Sequence, residues 1–317
     1  MKTDVIPLEV RRHQLVARVR DSIQNKNVVV GVSGGSDSMA LLLLCIAASM
    51  QQSSTFTVVA GHIHHGLRDE SDDEQSLVES LCSRFGVRCV TKKITVHAKN
   101  GSIAAGARDA RYAALCAIAK TNNATAIVVA HHANDQLETM LMALCRGSGV
   151  NRLAGMEPSR PLTSDVVLLR PLLHVDKISL LEICLSAKVK WCEDPTNVDS
   201  STPRGRLRKD VIPVLRELWP AADRHASNAS SILRAAAEAF KATVPTGTSW
   251  SRESLCEFPI PVIAAAMHNA VGDRATYETV QSIAEAIVDN NTDPRTFVCR
   301  DGCVANVTAH RVEVVYT

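Results

Sequence analysis

Two glycines, three serines and an aspartate stand together in the sequence SGGSDS at positions 33–38. Gly34 and Gly35 allow the backbone to approach a bound group closely, and N–H groups that begin a helix attract anions. Further hydrogen bonds could come from the hydroxyl groups of Ser33, Ser36 and Ser38. The segment lacks the lysine of a Walker A loop and the glycine spacing of a dinucleotide fingerprint. It therefore predicts a phosphate-binding loop of another kind.

The carboxylate of Asp37 is unusual in such a loop, because it repels a bare phosphate group. A Mg²⁺ ion between the carboxylate and the phosphate would remove this repulsion, because both groups are ligands for the ion. We therefore predict that Asp37 binds a metal ion and takes part in catalysis. The alternative is a plain strand-to-helix turn in which Ser36 or Asp37 only caps the helix. A cap needs one polar residue, whereas this turn offers several beside its two glycines.

Two pairs of like-charged residues recur at helical spacing. Asp135 and Glu138 are three residues apart at a predicted helix start, so their carboxylates share one face. Arg108 and Arg111 repeat this spacing with positive charge, which would suit phosphate groups or an RNA backbone. For both pairs the alternative is an ordinary solvated surface, with carboxylates favoured by the helix dipole or arginines in salt bridges.

The segment RGRLRK at positions 204–209 is the strongest local signal for nucleic-acid binding. Its charged residues are Arg204, Arg206, Arg208 and Lys209. Arginine side chains bind phosphates through a planar fork and can stabilise a developing negative charge. The alternative is a solvated helix start. The formal net charge of the whole chain is only +2, so any basic surface must be local.

Alternating strand-like and helix-like segments must position these residues. The predicted strands are residues 28–32, 56–63, 87–96, 126–131 and 166–169, and the helices that follow them are 37–50, 72–85, 103–120, 134–145 and 177–187. Such alternation predicts an α/β fold with a doubly wound parallel sheet and helices on both faces. In these sheets ligands bind at the carboxyl ends of the strands, where the loop at 33–38 and Asp135 lie.

The alternation ends near residue 219, where one long helix over 222–242 is predicted. A segment rich in Thr, Gly and Pro at 243–249 has the composition of a linker. Two helices and three short strands are predicted after it, at 261–271, 277–289, 295–300, 303–308 and 311–316. We therefore predict an N-terminal helix over 1–24, a main domain over 25–218, and a C-terminal domain over 219–317. The last contains a helical connector and a small α+β unit.

The ten cysteines include no Cys-x-x-Cys pair, which is typical of a reducing compartment. Cys299 and Cys303 could form a redox or metal pair, but no second pair lies nearby. The sequence has neither a signal peptide pattern nor an apolar run of about 18 residues, so we expect a cytoplasmic protein without membrane contact. Histidines near strand ends could hold zinc, although their spacing favours packing or polar contacts: His62, His64, His65, His131 and His132.

The sequence SGGSDS after a buried strand closely resembles the pyrophosphate loop of the ATP pyrophosphatase superfamily. The resemblance implies an adenine nucleotide α-hydrolase-like fold and ATP that is split between its α and β phosphates. These enzymes adenylate a carbonyl oxygen, and a nucleophile then displaces AMP. The loop holds the departing pyrophosphate, which accounts for the missing lysine. The residues implied to bind ATP are Ser33, Gly34, Gly35, Ser36, Asp37 and Ser38.

Five further stretches narrow the resemblance, at residues 60–75, 106–115, 131–156, 170–173 and 191–215. In order and spacing they resemble the tRNA(Ile)-lysidine synthetase family, strongly over residues 25 to 220 and weakly beyond. This implies ligation of free L-lysine to C2 of the wobble cytidine in a tRNA(Ile) with a CAU anticodon. It also implies that residues 219–317 bind tRNA, and it leaves a homodimer open. The sequence departs from the family at Asn134 and at Gly205, where Asp and Asn are usual.

The resemblance also implies roles for the charged residues. Asp135 and Glu138 would bind the ammonium group of lysine, and Asp135 would be the more important of the two. The residues implied in catalysis are Asp37, Asp135 and Arg206, and those implied in lysine or tRNA binding are Asp135, Glu138, Arg108, Arg111, Arg204 and Arg208. Two alternatives remain: a tRNA thiolase of the same superfamily, and a nucleotide-binding regulator without catalysis. Such thiolases commonly use Cys-x-x-Cys pairs, which this sequence lacks.

Overall fold

The computed structural model describes residues 4–51, 55–64, 70–96, 103–193 and 202–316. The chain divides into two compact units, Met1–Leu233 and Arg234–Thr317. Over the described ranges, no helix is both long enough and apolar enough to cross a membrane.

The first unit contains a six-stranded sheet. Its strands are β1 (Val28–Gly31), β2 (Val58–His64), β3 (Arg88–Lys93), β4 (Ala126–Val128), β5 (Ser159–Pro161) and β6 (Val167–Leu169). They lie in the order β3-β2-β1-β4-β6-β5, and all pairs are parallel except β5 with β6. The predicted doubly wound parallel sheet is thus confirmed. The antiparallel edge strand β5 was not predicted, because its three residues, Ser-Arg-Pro, have no apolar pattern.

Helices flank the strands of this sheet along the chain, and the last of them continues past Leu233 into the second unit. They are α1 (Leu8–Arg11), α2 (Gln14–Ile23), α3 (Ser36–Ser49), α4 (Glu70–Phe85), α5 (Ile103–Thr121), α6 (Ala133–Cys145), α7 (Val150–Leu153), α8 (Lys177–Ser186), α9 (Pro203–Arg206), α10 (Ile212–Leu218) and α11 (Ala222–Thr243). A π-helical turn, Leu207–Val211, joins α9 to α10. Helix α3 is apolar on all sides because it packs against β1, α2 and α8, while α5 packs on the opposite face. Burial of both faces explains the uninterrupted apolar strands.

The strand order places a topological switch point between β1 and β4. From β1 the chain moves outward to β2 and β3, and it then returns to the other side of β1 to form β4 and β6. In such sheets ligands bind outside the carboxyl ends of the strands at the switch point, here those of β1 and β4. The SGGSDS segment follows β1, and the start of α6 follows β4.

The second unit is a small α+β structure, as predicted. Its elements are β7 (Ser249–Ser251), α12 (Arg252–Cys256), α13 (Ile260–Val271), a 3₁₀ turn (Gly272–Arg274), α14 (Tyr277–Val288), β8 (Arg295–Val298), β9 (Cys303–Val307) and β10 (Arg311–Tyr316). The antiparallel sheet has the order β7-β10-β9-β8, and α13 and α14 share its aliphatic core. Neither β7 nor α12 was predicted. Arg252 fixes α12, because its buried guanidinium donates to the carbonyl oxygens of Ala286, Ile287 and Asp289.

Candidate functional site

The SGGSDS segment turns directly from β1 into α3. Gly34 has a φ of +90°, which side-chain-bearing residues rarely adopt, and a Cβ there would lie 3.4 Å from the Cβ of Glu74. The Ser38 hydroxyl donates to the Gly35 carbonyl at 2.9 Å and accepts from the backbone N–H of Ser33 at 3.1 Å. Among the described residues, no side chain caps α3. The N–H groups of its first turn are therefore suited to an anion.

Ser36 and Asp37 occupy the first turn of α3. Ser36 is buried, and its carbonyl oxygen accepts a hydrogen bond from the Cys184 thiol at 3.3 Å. The side chain of Asp37 stays 30% exposed, and its Oδ2 lies 3.4 Å from Nε2 of His132. Asp37 thus projects from the loop that follows β1 toward the residues that follow β4.

His132 links Asp37 to Asp135 at the start of α6. Its Nδ1 accepts from the backbone N–H of Asn134 at 3.2 Å, and Oδ2 of Asp135 accepts from the backbone N–H of His132 at 3.1 Å. These reciprocal bonds form a capping box. Because Nδ1 accepts, the neutral ring carries its proton on Nε2, which lies 3.4 Å from Asp37 and 3.8 Å from Asp135.

The surroundings of His132 act on its pKa in opposite directions. Burial lowers the pKa, but the hydrogen bond to Asp37 and the negative charge of Asp135 outweigh burial and raise it. A second proton, on Nδ1, would break the bond from Asn134, so the helix cap opposes part of this rise. The imidazole can therefore hold or pass a proton between two carboxylates.

Two arginines clamp the carboxylates of α6. Glu138 has a side chain only 4% exposed, and it accepts from Nε of Arg204 at 2.6 Å and from Nε of Arg208 at 2.5 Å. Oδ1 of Asp135 lies 3.4 Å from Arg204 and 3.3 Å from Arg208. Burial raises the pKa of Asp135, but the positive charges of His132 and Arg204 and the backbone hydrogen bond from His132 outweigh it and lower the pKa. The structure thus brings together five predicted residues: Asp37, Asp135, Glu138, Arg204 and Arg208.

Arg206 lies apart from this clamp. Its side chain is 70% exposed, and its Nε lies 3.3 Å from Oδ2 of Asp210. Arg204 and Arg208 are four residues apart and share one helical face, whereas the residue midway between them faces the opposite side. The structure therefore does not bring Arg206 to Asp135 and Glu138.

Arg108 and Arg111 lie together on α5, but not at the clamp. Their guanidinium carbons are 5.5 and 5.2 Å from the ring centroid of Tyr112, which is buried. The positive charges of both arginines lower the pKa of His131, the residue before His132. The negative charge of Asp135 raises the same pKa. The two predicted arginines therefore border the site on the side of α5.

The remaining histidines and cysteines do not form a metal site in the part of the chain that the structure describes. Nδ1 of His62 contacts the Val32 carbonyl oxygen at 2.9 Å, and Nε2 of His64 contacts Asp72 at 3.0 Å. His65 lies outside the described residues. All ten cysteines are free, including Cys299 and Cys303.

Gln136 is a buried positioning residue that the sequence did not indicate. Its amide nitrogen donates to the Met156 carbonyl at 2.9 Å and to the Ser230 hydroxyl at 2.7 Å, and its oxygen accepts from the Met156 N–H at 2.7 Å. These bonds join the first turn of α6 to the segment after α7 and to α11. Gln136 lies within the stretch 131–156 that carries the family resemblance, but no local pattern indicates its contacts with Met156 and Ser230.

Acidification is expected to destabilise the first unit through His131. Burial lowers the pKa of His131 to about 3, with help from the positive charges of Arg170, Arg111 and Arg108 and against the negative charge of Asp135. Below about pH 6.5 the unfolded chain gains a proton at this residue, whereas the folded chain stays neutral until near pH 3. The free energy of unfolding should therefore decrease as the pH is lowered through this window, by at most about 1.4 kcal/mol per pH unit.

Urea denaturation at pH 7 and pH 5 measures this effect. His131→Asn should lose less stability than the wild type between the two pH values. His225→Asn, at an exposed position of α11, is the control and should behave as the wild type does. An equal pH dependence in His131→Asn and the wild type would contradict the assignment.

A comparison with protein families identifies the fold of the main unit. A family model described as the PP-loop domain matches residues 8–215, which include the loop after β1, the whole sheet and the arginine clamp. The chain belongs to the PP-loop domain family. The matched range ends within α10, and the small α+β unit lies beyond it.

Curated relatives carry the name tRNA(Ile)-lysidine synthase. One from Actinobacillus pleuropneumoniae serotype 3 (strain JL03) is 39% identical over 194 residues, which are 61% of this chain and 44% of that protein. Another from Polaromonas naphthalenivorans (strain CJ2) is 36% identical over 212 residues, covering 64% of this chain and 63% of that protein. The chain therefore spans about half the length of the curated relatives that it matches.

Among solved structures, the U34-tRNA thiolase NcsA from Methanococcus maripaludis, with its 4Fe-4S cluster, has a similar fold. The TM-score is 0.58 at 16% sequence identity, and the match covers 72% of this chain and 81% of that chain. At this identity the likeness concerns the fold alone, and it agrees with the doubly wound sheet described above.

Proposed function

We propose that this chain ligates free L-lysine to C2 of the wobble cytidine of a tRNA(Ile) with a CAU anticodon, at the expense of ATP. One observation carries the proposal most directly. A continuous line of polar contacts runs from Asp37 in the phosphate loop through His132 to Asp135, and on to the two arginines. The line joins a site for a nucleotide to a site for a cationic substrate, and the relatives named tRNA(Ile)-lysidine synthase support this pair of substrates.

ATP would bind at the start of α3. Membership of the PP-loop family supports ATP as the nucleotide. The residues fit an anion, because Gly34 adopts a φ of +90° that keeps the loop free of a side chain at this position, and because Ser33 and Ser38 carry hydroxyl groups beside the uncapped helix. The loop residues that would hold the phosphates are Ser33, Gly34, Gly35, Ser36 and Ser38. A leaving pyrophosphate would be stabilised there by backbone N–H groups.

Mg²⁺ would bind at Asp37. A single partly exposed carboxylate fits this ion, which takes one or two protein carboxylates and completes its shell with phosphates and water. The bound ion would neutralise charge on the phosphates of ATP. The chain's own contribution is orientation, because His132 holds the Asp37 carboxylate from the side of α6.

The reaction joins two substrates in two steps. The cytidine O2 first bonds to the α-phosphorus of ATP, and pyrophosphate leaves. The lysine ε-amine then bonds to C2, and the C2–O2 bond breaks so that O2 departs with AMP. This amine has a pKa of about 10.4 and is an ammonium group near pH 7, so its deprotonation costs about 4.6 kcal/mol unless the site assists.

Asp135 is better placed than Glu138 to bind that ammonium. Both oxygens of Glu138 already accept short bonds from arginine Nε atoms, whereas Oδ1 of Asp135 has only longer contacts with Arg204 and Arg208. Asp135 can therefore accept a hydrogen bond from the ammonium group, and His132 lies beside it. Glu138 fixes the two arginines, whose outer nitrogens would face the negative charge of the adenylated intermediate.

A turnover assay tests the proposal. Incubation with ATP, Mg²⁺, labelled lysine and a tRNA(Ile) transcript bearing CAU should release AMP only when lysine is present, with label transferred to the RNA. The same transcript with a GAU anticodon is the control and should remain unlabelled. Turnover that needs a sulfur donor would instead support a thiolase. ATP binding without any turnover would support a regulator.

A further inference from the structure

Three arginines surround the buried ring of Tyr112 beside the proposed catalytic site. The guanidinium carbons of Arg108, Arg111 and Arg160 lie 5.5, 5.2 and 5.4 Å from the ring centroid. Arg108 and Arg111 come from α5, whereas Arg160 comes from the edge strand β5. Arg160 pairs with Leu168, which belongs to the same core cluster as Tyr112, so Arg160 projects toward the α5 face of the sheet.

Arg170 adds a fourth positive charge. It follows β6 directly, is 3% exposed, and donates from Nη1 to the Glu157 carbonyl at 2.6 Å. Burial, together with the charges of Arg160 and Arg108, lowers the pKa of Arg170 despite the opposing effect of Tyr112. Its buried Nε has no hydrogen-bond partner among the described residues. Arg160 and Arg108 are thus close enough to Arg170 for their positive charges to act on it.

This cluster lacks a matching set of negative charges. Within the described ranges, none of the four guanidinium groups forms an ion pair. The Nε atom of Arg111 and the Nδ1 atom of His131 are also buried without a hydrogen-bond partner. Attraction to one neutral ring is worth about 0.5 to 2 kcal/mol for each cation, too little to offset the burial of Arg170 beside the positive charges of Arg160 and Arg108. The arrangement is that of a preformed site for an anion.

The cluster borders the carboxylate clamp. His131 is near both groups, because the negative charge of Asp135 raises its pKa and the positive charges of the cluster lower it. The arginines that lower this pKa are Arg170, Arg111 and Arg108. Arg170 stands at the carboxyl end of β6, next to the carboxyl end of β4, from which α6 begins. An anion bound here would therefore lie beside the nucleotide that reacts.

We propose that Arg108, Arg111, Arg160 and Arg170 form one binding site for the phosphodiester backbone of the RNA, next to the reacting cytidine. The inference rests on the proposed function for the identity of that RNA. Four guanidinium groups exceed what a single lysine carboxylate requires, whereas consecutive phosphates present several charged oxygens that arginine forks can bind. Arg160 and Arg170 thereby join the pair on α5 as RNA-binding residues.

The salt dependence of RNA binding tests this site through Arg160→Gln. Binding of an unmodified tRNA(Ile) transcript with a CAU anticodon is measured without lysine at several salt concentrations. Loss of one phosphate contact should raise the Kd about tenfold and reduce the slope of log K against log salt by about 0.7 to 0.9. Arg88→Gln is the matched control, because it removes the same charge from an exposed position at the amino end of β3. It should leave the slope unchanged.

Each other outcome has a distinct meaning. Equal slopes for Arg160→Gln and Arg88→Gln would overturn the site. A higher KM for lysine with unchanged RNA binding would also overturn it, in favour of a carboxylate site. Arg160→Lys keeps the charge and should keep most of the slope. If Arg160→Gln has a lower Tm than the wild type, Arg108→Gln takes its place in the same measurement. The test measures RNA binding without lysine and does not depend on lysine transfer. A protein that binds the RNA but fails to transfer lysine would therefore contradict the proposed function and not the RNA-binding site.

Discussion

Asp37→Asn should reduce RNA-dependent release of pyrophosphate by about 10²- to 10³-fold, the usual cost of losing one group that stabilises charge in a transition state. The substitution preserves shape and removes the negative charge that faces the phosphates. The fold should persist, because the side chain is partly exposed and contributes no cap to α3. ATP should still bind through the loop, with a higher requirement for Mg²⁺.

Release of pyrophosphate at increasing Mg²⁺ concentrations measures the effect. Asp176→Asn is the matched control, because Asp176 caps α8 by accepting from the Ser179 N–H at 2.8 Å, and asparagine caps equally well. Unchanged activity in Asp37→Asn would refute the metal-binding role. Equal losses in both variants would point to general destabilisation instead.

Glu138→Gln should both destabilise the first unit and impair lysine transfer. The buried carboxylate accepts from Arg204 and Arg208, so its neutralisation leaves these guanidinium groups with Asp135 alone. Breaking a buried ion pair costs about 3 kcal/mol or more, which corresponds to a fall in Tm of about 6 to 12 °C for a unit of this size. Displacement of the arginines should slow lysine transfer by about 10²-fold.

Thermal denaturation and single-turnover lysine transfer measure these two effects. Arg206→Gln changes the charge of the same segment at a position 70% exposed, so its Tm should stay within about 2 °C of the wild type. Its activity also tests the catalytic role that the sequence implied for Arg206. A wild-type Tm for Glu138→Gln would show that the clamp does not stabilise the unit.

The parts that could be predicted from sequence are local or periodic. The loop at 33–38 stands between an apolar strand and an apolar helix, and the shared face of Asp135 and Glu138 follows from their spacing. The contact of Arg204 with Glu138 spans 66 residues, and no local pattern encodes it. The spacing of Arg204, Arg206 and Arg208 does show that Arg206 must face away, which the family resemblance obscured.

Other features escaped prediction because their signals are weak. His132 was interpreted as a packing or polar contact, although a histidine three residues before Asp135 at a helix start is consistent with a capping box. Arg160 lies on a three-residue edge strand without apolar alternation. Its position near Tyr112 depends on the antiparallel pairing of β5 with β6. Tertiary contacts of this kind follow from the fold and not from the segment itself.

Nucleoside analysis of the reacted RNA by mass spectrometry is the most direct test of lysine ligation. After incubation with ATP, Mg²⁺ and isotope-labelled lysine, the tRNA(Ile) transcript should contain one modified nucleoside, at the wobble cytidine of CAU. Its mass should equal cytidine plus lysine minus water, with one AMP released per modified nucleoside. AMP release with an unmodified wobble cytidine, or lysine attached elsewhere on the RNA, would contradict the proposal.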